Sequence, residues 1–598
     1  MRPSGTDIRP PGVYTEPSER RRDALSLAPS GVPGFVGLAR RGPTNVPVRI
    51  ASPGQFASVF GELPEGGFLQ PSVEAFFQNG GRECWIVRVT HKSGSSFGEP
   101  AVRSCRLFSD RRGLPAFKVE AGSEGSWGND ISVSFCRSQP RAQTFLTLDA
   151  EAGDTGAIVR STHGLRPGAL VRLYREGFET FRFVEGVEDK KVLWRADQPL
   201  ESGLQSSAPS YVETVEFELK VTSPFLRESF PELSLHPASP RFVERVVGDM
   251  SRLVRVTLLD PSTDSGHLPT DLALPADATG IALEGGLDGL WNVTPDDLIG
   301  MTGELGARTG LAAFETVDEV DLLAVPDASW LFLQNCGRDG RSFSTLKDVE
   351  VVQDAMLSQC ERLNDRFALL DTPFPDSADR TREYRLMFDS RHGALYFPWI
   401  IVDSRGQRLA VPPCGHLAGI MARCDENIGI HKAPANEVLA GGLDLTVLLV
   451  DEDVGLLNNE GINCLVSQGV RGLRVWGART VSGDVACRYL NVRRQLNAIH
   501  RSLATGMQWV VFEPNVPSVW KTVQRNVTQF LMDLWRRGWF QGDTPEDGFY
   551  VKCDEETNPP AERNAGRLTI QVGVAPVRPA EFLTIQVAQE MQGRQEGG

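Results

Sequence analysis

No stretch of this chain approaches the ~20 uncharged apolar residues that a bilayer-spanning helix needs, so no transmembrane segment is expected. Its ten cysteines are scattered through 598 residues without a Cys-x-x-Cys pair. A chain of this size has no need of covalent staples, and reduced thiols in a cytosolic protein are the simpler reading. Positive charge is in deficit: 62 Lys and Arg face 77 Asp and Glu, for a net charge of −15. So acidic a chain is a poor match for a nucleic-acid backbone, which needs net positive surface. Neither a phosphate loop of the G-x-x-x-x-G-K-[S/T] type nor a G-x-G-x-x-G turn after a strand occurs, and no cofactor is expected. The opening MRPSGTDIRPPGVY is polar and proline-rich without an apolar core, which predicts no secretory leader and assembly in the cytoplasm. What is present is ordinary: 41% hydrophobic and 23% charged residues, enough to build several real cores.

The pattern divides the chain into six parts. Residues 1–28 read as an extended arm with one strand-like piece, GVYTE. In 29–97, GFVGLARRGP reads as a buried strand and turn, PSVEAFFQNGG as a short helix ended by Gly80-Gly81, and CWIVRVT as a strand. Residues 98–276 turn β-rich. There DISVSFC places Ile131, Val133 and Phe135 on one face, and VETVEFELKV does the same with Val215, Phe217, Leu219 and Val221, as in an inserted antiparallel module. From 277 to 486 strands and helices alternate. VDLLAVPD, FALLDTP, ALYFPWIIV and LTVLLV are apolar runs of the kind covered on both faces, and Val349, Val352, Met356, Cys360 and Leu363 recur at helical spacing, so a mostly parallel α/β sheet is predicted. Residues 487–577 read as α+β. One helix over 490–504 turns Leu496, Ile499 and Leu503 inward, and a second over 517–536 carries the stripe Val519, Val523, Val527, Phe530, Leu531, Leu534. The strand FYVKCDEE follows, and 578–598 is a final strand and tail.

Three spellings of chemistry occur, and each reads more simply as structure. Gly94-Ser95-Ser96-Phe97-Gly98 fits G-x-S-x-G, but the motif works only where it opens a helix, and EPAVRSC opens none. His416, in CGHLAGIMA, has no serine segment downstream to complete a triad. Cys414, His416, Cys424 and His431 are zinc-ligand types at the wrong spacing, because on one helix Cys414 and Cys424 lie ~15 Å apart. No enzyme is expected. Arg488, Arg493, Arg494 and Arg501 give one helix a basic face, read as meeting acidic protein surface rather than nucleic acid.

The most informative feature is a strand written twice. LTIQV occurs at 568–572 and again at 583–587. The connector GVAPVRPAEF carries Pro576 and Pro579, which remove donors and stiffen the link, and no hairpin corner such as Asn-Gly is present. The second copy is therefore expected to leave its neighbour and add to the sheet of another subunit. The alternative is that it folds back on its own sheet. With GVYTE on its own arm, the chain has a donor strand at each end, a design that links head-to-tail into an open lattice.

The blocks PGVYTEP, GFVGLARRGPTN, FFQNGGRECWIVRV, GSWGND, LYFPWI, VPPCGHLAGIMARCDENIGIHKAPANE, GLRVWGART, RYLNVRRQL, FEPNVPSVWKTV, LWRRGWFQGDTPEDGFYVKCDEETNPP and GVAPVRPAEF together resemble contractile tail sheath proteins. They run in order from residue 11 to about 589 and leave out most of 135–275. The resemblance implies a structural subunit that stacks as six-fold rings around an inner tube, assembles extended on a baseplate, and contracts. It implies a subtilisin-like middle domain without protease activity, in agreement with the orphan His416, and Cys414 and Cys424 at positions that need not be cysteine. It also implies a C-terminal sheet completed by neighbours. Carried over, the donors are Val13, Tyr14 and Thr15 with Leu583, Ile585 and Val587, and the acceptors are Phe549, Val551, Leu568, Ile570 and Val572. The implied partners are copies of the chain, the inner tube, baseplate and terminator or cap proteins, and sheath paralogues. Arms such as 17–30 and 575–581 are expected to act as hinges, the C-terminal helices to face the tube, and the insertion to point outward. A receptor-binding surface protein using 98–276, and a hydrolase, are the competing readings.

Overall fold

A computed structural model describes residues 25–581, apart from 63–65, 92–98, 110–114, 195, 197–198, 236, 238, 260–279, 304–305, 339–341 and 405. At its centre is an eight-stranded sheet in the order Val48–Ile50, Cys84–Arg88, Pro33–Gly37, Leu322–Ala324, Phe367–Asp371, Gly393–Phe397, Ile462–Ser467, Leu473–Trp476. The six inner strands are parallel and the two edge strands run antiparallel. Every residue of Pro33–Gly37, Phe367–Asp371 and Gly393–Phe397 is buried, as continuous apolar runs covered on both faces require. The helix Leu346–Leu363 buries Val349, Val352, Met356 and Cys360. It opens on a reciprocal cap between Thr345 and Asp348 and ends at Asn364 in the left-handed conformation, φ 54°. The central sheet thus draws strands from both sides of the insertion.

Two apolar runs do not continue this sheet. ALYFPWIIV breaks at Pro398, which has no N–H to donate; Ile400–Ser404 then leads a separate antiparallel sheet with Gln407–Val411 and Gly442–Leu445. LTVLLV is not a sheet strand. Pairing stops at Leu445, Leu448 and Val450 are exposed, and a helix begins at Asp451 with three acidic residues in its first turn.

The insertion holds two β lobes with separate cores. In the first, Cys105–Ser109, Pro115–Ala121 and Val254–Leu258 form one sheet, and Ile281–Ala282, Ser132–Arg137, Phe217–Thr222 and Arg227–Leu233 another. Ile131, Val133, Phe135, Leu219 and Val221 fill the core between them. The second lobe is a six-stranded sheet over Gln143–Trp194 and Tyr211–Thr214, packed around Leu173, Val184 and Trp194. VETVEFELKV, expected as one strand, is divided between them. Tyr211–Thr214 belongs to the six-stranded sheet and Phe217–Thr222 to the other, while Val215 packs against Leu170, Phe181 and Phe183. At the crossover Ser138 N–H donates to Glu216 O (2.9 Å), so the two connections between lobes lie side by side.

The C-terminal region packs Leu490–Gly506 and Pro517–Arg536 over a two-stranded sheet. The second helix buries Val523, Val527, Phe530, Leu531 and Leu534, with Val519 half-buried, as its stripe predicts. FYVKCDEE is a strand only over Phe549–Lys552; beyond Cys553, Asp554 Oδ1 accepts from Glu556 and Thr557 N–H and turns the chain.

Candidate assembly surface

The two-stranded sheet pairs Phe549–Lys552 with Gln571–Val574 in the register Phe549↔Val574, Tyr550↔Gly573, Val551↔Val572, Lys552↔Gln571. The expected acceptor residues Phe549, Val551, Leu568, Ile570 and Val572 come together in one apolar cluster with the C-terminal helices. Only Val572 of the first LTIQV's apolar residues lies in the strand. At Thr569 the amide of Asn558 stands in for a neighbouring strand, accepting from Thr569 N–H (2.7 Å) and donating to its carbonyl (3.0 Å). On the other face Tyr550, 53% exposed, lays its ring over Gly573, where an added Cβ would sit 2.1 Å from the ring. Val551 O accepts from Gln524 Nε2 (3.1 Å). Among the described residues neither strand has a second strand beside it. The donors Val13, Tyr14, Thr15, Leu583, Ile585 and Val587 lie outside the described residues, as does Gly94–Gly98.

The arms, where described, are hydrogen-bonded to the chain's own body. Ala28 N–H donates to Ser502 Oγ (2.8 Å), and Gly31 and Val32 N–H donate to the Asp321 carboxylate (3.0 and 2.7 Å). The 575–581 connector is held at Ala575, Pro576, Val577 and Glu581.

The basic helix is corrected by the structure. Leu490–Gly506 lies across the starts of the parallel strands and buries Ile499 as expected, but most of what it buries is polar: Asn491, Arg494, Gln495, Asn497, Arg501 and Ser502 are buried while Leu496 and Leu503 are half-buried. Strand starts offer carboxylates and carbonyls, which is what this face needs. Arg494 pairs with Asp425 (Nη1–Oδ1, 3.0 Å) and Asp321 (Nη2–Oδ2, 3.2 Å), Asn497 Nδ2 donates to Arg366 O (2.9 Å), and Arg501 reaches Glu319 O (3.5 Å). Burial works against the Arg494 charge, but the two carboxylates more than offset it and raise its pKa above the ordinary arginine value. Arg494 and Arg501 are therefore not available to an inner tube or any acidic partner surface. Arg493, pushed down to about 10 by burial, donates to Asn497 Oδ1 (2.8 Å), and Arg488 is half-buried.

One further cluster sits where α/β enzymes place their chemistry, at the carboxyl ends of the strands. Asp371 closes its strand and accepts from Cys414 N–H (3.2 Å) at the start of the helix Cys414–Asn427, and Ser72 Oγ lies 4.0 Å from Cys414 Sγ. All are sealed from solvent. Burial pushes Asp371 up to about 7 and the Cys414 thiol far above its usual value, so Cys414 is held as the thiol. Burial lowers His416 to about 3, and neither ring nitrogen has a hydrogen-bond partner among the described residues; it is a neutral core imidazole. Among the described residues no three His, Cys, Asp or Glu side chains are grouped to hold a metal. Sequence reading missed Asp371 and the equally buried Asp327, which takes Leu38, Phe68 and Leu69 N–H and is pushed up to about 6 by burial. An acidic residue ending an apolar run was the signal.

Comparison with known proteins bears on the same regions. The model of the phage tail sheath protein central domain matches residues 345–481, and that of the phage tail sheath C-terminal domain matches 482–590. Residues 345–590 thus match two phage tail sheath domains in succession. The tail sheath protein of Escherichia phage P2 is 24% identical over 308 residues, spanning 49% of this chain and 70% of that protein. That of Burkholderia phage BcepMu is 28% identical, over 49% of this chain and 61% of that protein. Among solved structures, the helical sheath of the anti-feeding prophage in its contracted state matches with TM-score 0.51 and 20% identity, covering 98% of this chain and all of that one. The sheath tail protein of Listeria innocua matches with TM-score 0.53 and 11% identity over 90% and 91%. The fold is thus the mixed α/β, multidomain fold of sheath proteins.

Proposed function

We propose that the chain is the structural sheath subunit of a contractile tail or injection system, which polymerises around an inner tube in an extended state and contracts to drive that tube through a target envelope. The observation that carries this reading is the unbroken run of two tail sheath domain models over 345–590. The work is mechanical: an extended lattice relaxes to one that buries more surface between subunits, and the drive is that difference in free energy rather than a bound nucleotide. In this reading the central α/β region is a subtilisin-like scaffold without protease activity, which the sealed His416 and protonated Cys414 support. The C-terminal sheet is completed by Val13–Thr15 and Leu583–Val587 of neighbouring copies, which the unaccompanied pair of strands supports. Partners are further copies in six-fold rings, the inner tube, baseplate and terminator or cap proteins, and sheath paralogues. The C-terminal helices face the tube and the two β lobes point outward. Assembly takes place in the cytoplasm, and the product is a phage tail or tail-like particle.

Negative-stain electron microscopy of the full chain beside one ending at Phe582 tests this. Tubes or ring stacks from the full chain, absent from the shorter one, are expected. Tubes from both would remove the second LTIQV from the lattice. Hydrogen exchange showing 583–587 protected in the isolated subunit would return that strand to its own sheet.

A further inference from the structure

Beyond the two-stranded sheet the chain is gripped at several points. Ala575 N–H donates to Gly548 O (2.8 Å), Gln541 N–H to Ala575 O (2.8 Å) and Val577 N–H to Trp539 O (3.2 Å), while Val577 O accepts from Asn491 Nδ2 (3.2 Å). Four residues later Glu581 meets Arg479 through two parallel bonds, Nε to Oε1 at 2.9 Å and Nη2 to Oε2 at 2.6 Å. Arg479 is 4% exposed and fixed from behind. Its N–H donates to Asn463 Oδ1 (2.6 Å) and its Nη1 to Asn458 O (2.7 Å). Asn463 belongs to the central strand Ile462–Ser467, and its Nδ2 donates to Leu395 O (3.2 Å) in the next strand. The connector therefore starts at the C-terminal sheet and is pinned to the central one. An exposed ion pair would count for little. This one is bidentate and shielded on the arginine side, so it sets direction as well as place.

We propose that Arg479 and Asn491 form a clasp that fixes where the C-terminal segment leaves the subunit, so that the second LTIQV reaches a neighbouring copy from a set point on the central sheet instead of from a free linker. This rests on the sheath reading above. Without the clasp the reach would be counted from Val577, which Trp539 O still holds; with it, from Phe582. Those five residues amount to about 17 Å of extended chain, which the clasp withdraws from the distance between neighbours. Arg479 and Asn491 are positioning residues: they act through the segment they hold.

Two insertions of Gly-Ser-Gly-Ser test the idea without breaking any contact. One goes between Arg578 and Pro579, inside the pinned span; the other goes between Glu581 and Phe582, outside it. Each variant is co-expressed with its tube and baseplate proteins, and electron microscopy reads particle yield, helical rise and twist. The inner insertion is expected to loop out and leave all three as in the wild type. The outer one should change rise and twist or lower the yield at least tenfold. Equal effects from both overturn the clasp, since a free linker cannot tell them apart. Glu581→Gln gives a second readout in the isolated subunit: hydrogen exchange across 578–581, beyond the bond from Val577 N–H to Trp539 O, should quicken at least threefold while the global melting temperature holds. Unchanged exchange overturns the clasp as well. Wild-type chains that form no particles would instead sink the sheath reading, and the clasp's lattice role with it.

Discussion

A guanidinium taken out of water must be met by opposite charge, and Arg494 is met by Asp321 and Asp425 together. Asp321 also collects two N–H groups of the entering arm, so one side chain ties three segments of chain. Arg494→Met should lower unfolding free energy by roughly 3–5 kcal/mol, because it strands two buried carboxylates side by side; urea denaturation would measure it. Asp371 gives a prediction in pH. Its pKa is raised from 3.8 to about 7, so the folded chain holds that proton more tightly than the unfolded one. Its contribution to stability is then full below the unfolded value and lost as pH rises through about 7. Asp371→Asn keeps an acceptor for Cys414 N–H without the charge. The fall in stability of the wild type between about pH 6 and 8 should shrink in this variant by about 1.4 kcal/mol, read from denaturant midpoints. His416 acts in the opposite sense: lowered to about 3, its contribution is present above about 6.5 and lost as pH falls below it, so between about pH 6 and 8 it adds a rise of roughly 0.8 kcal/mol that is common to both chains and cancels from their comparison.

At the scale of elements, Leu490–Gly506 shows both what periodicity reveals and where it misleads. The helix itself was legible, as were Leu346–Leu363 and Pro517–Arg536, because helical spacing marks a buried stripe. Which face is buried depends on what it meets, and strand starts that present Asp321 and Arg366 O reward the polar face. Asn497→Ala should therefore cost about 1–3 kcal/mol by leaving Arg366 O unmet, while Leu496→Gln, on the face that spacing alone turned inward, should stay within about 1 kcal/mol. Denaturation of the pair checks the inversion. Ile462–Ser467 escaped notice for a related reason: Asn463 interrupts the apolar run, yet it is fully buried with its amide satisfied by Leu395 O and Arg479 O. That Phe549, Val551, Leu568, Ile570 and Val572 share one apolar cluster was legible from period two, although only Phe549, Val551 and Val572 lie in strands. The fixing of the arms was not, since Ser502, Asn491 and Arg479 lie 474, 86 and 102 residues from the groups they hold.

At the scale of the whole molecule, the insertion was legible as a change of character, but its division into two lobes turns on one contact, Ser138 with Glu216. Because those residues touch, residues 139–215 can be removed and the ends joined by a two- to four-residue Gly-Ser turn. The shortened chain should keep a single cooperative melt of its remaining body and still enter particles, whose density then lacks one lobe. A molten or aggregated product would show that the lobe supports the rest.

The central sheet also sets a schedule for making the protein. Pro33–Gly37 lies between Cys84–Arg88 and Leu322–Ala324, so one neighbour is synthesised about 230 residues after the other. At roughly 5–20 residues per second, a ribosome takes about 12–47 s to supply it. Throughout that wait the nascent three-stranded piece carries a bare apolar edge, while the insertion, with cores of its own, can fold beside it. The insertion is thus a delay line as well as a lobe. Slower translation of residues 89–321 should lower the yield of soluble subunit, whereas the same slowing after residue 476 should not.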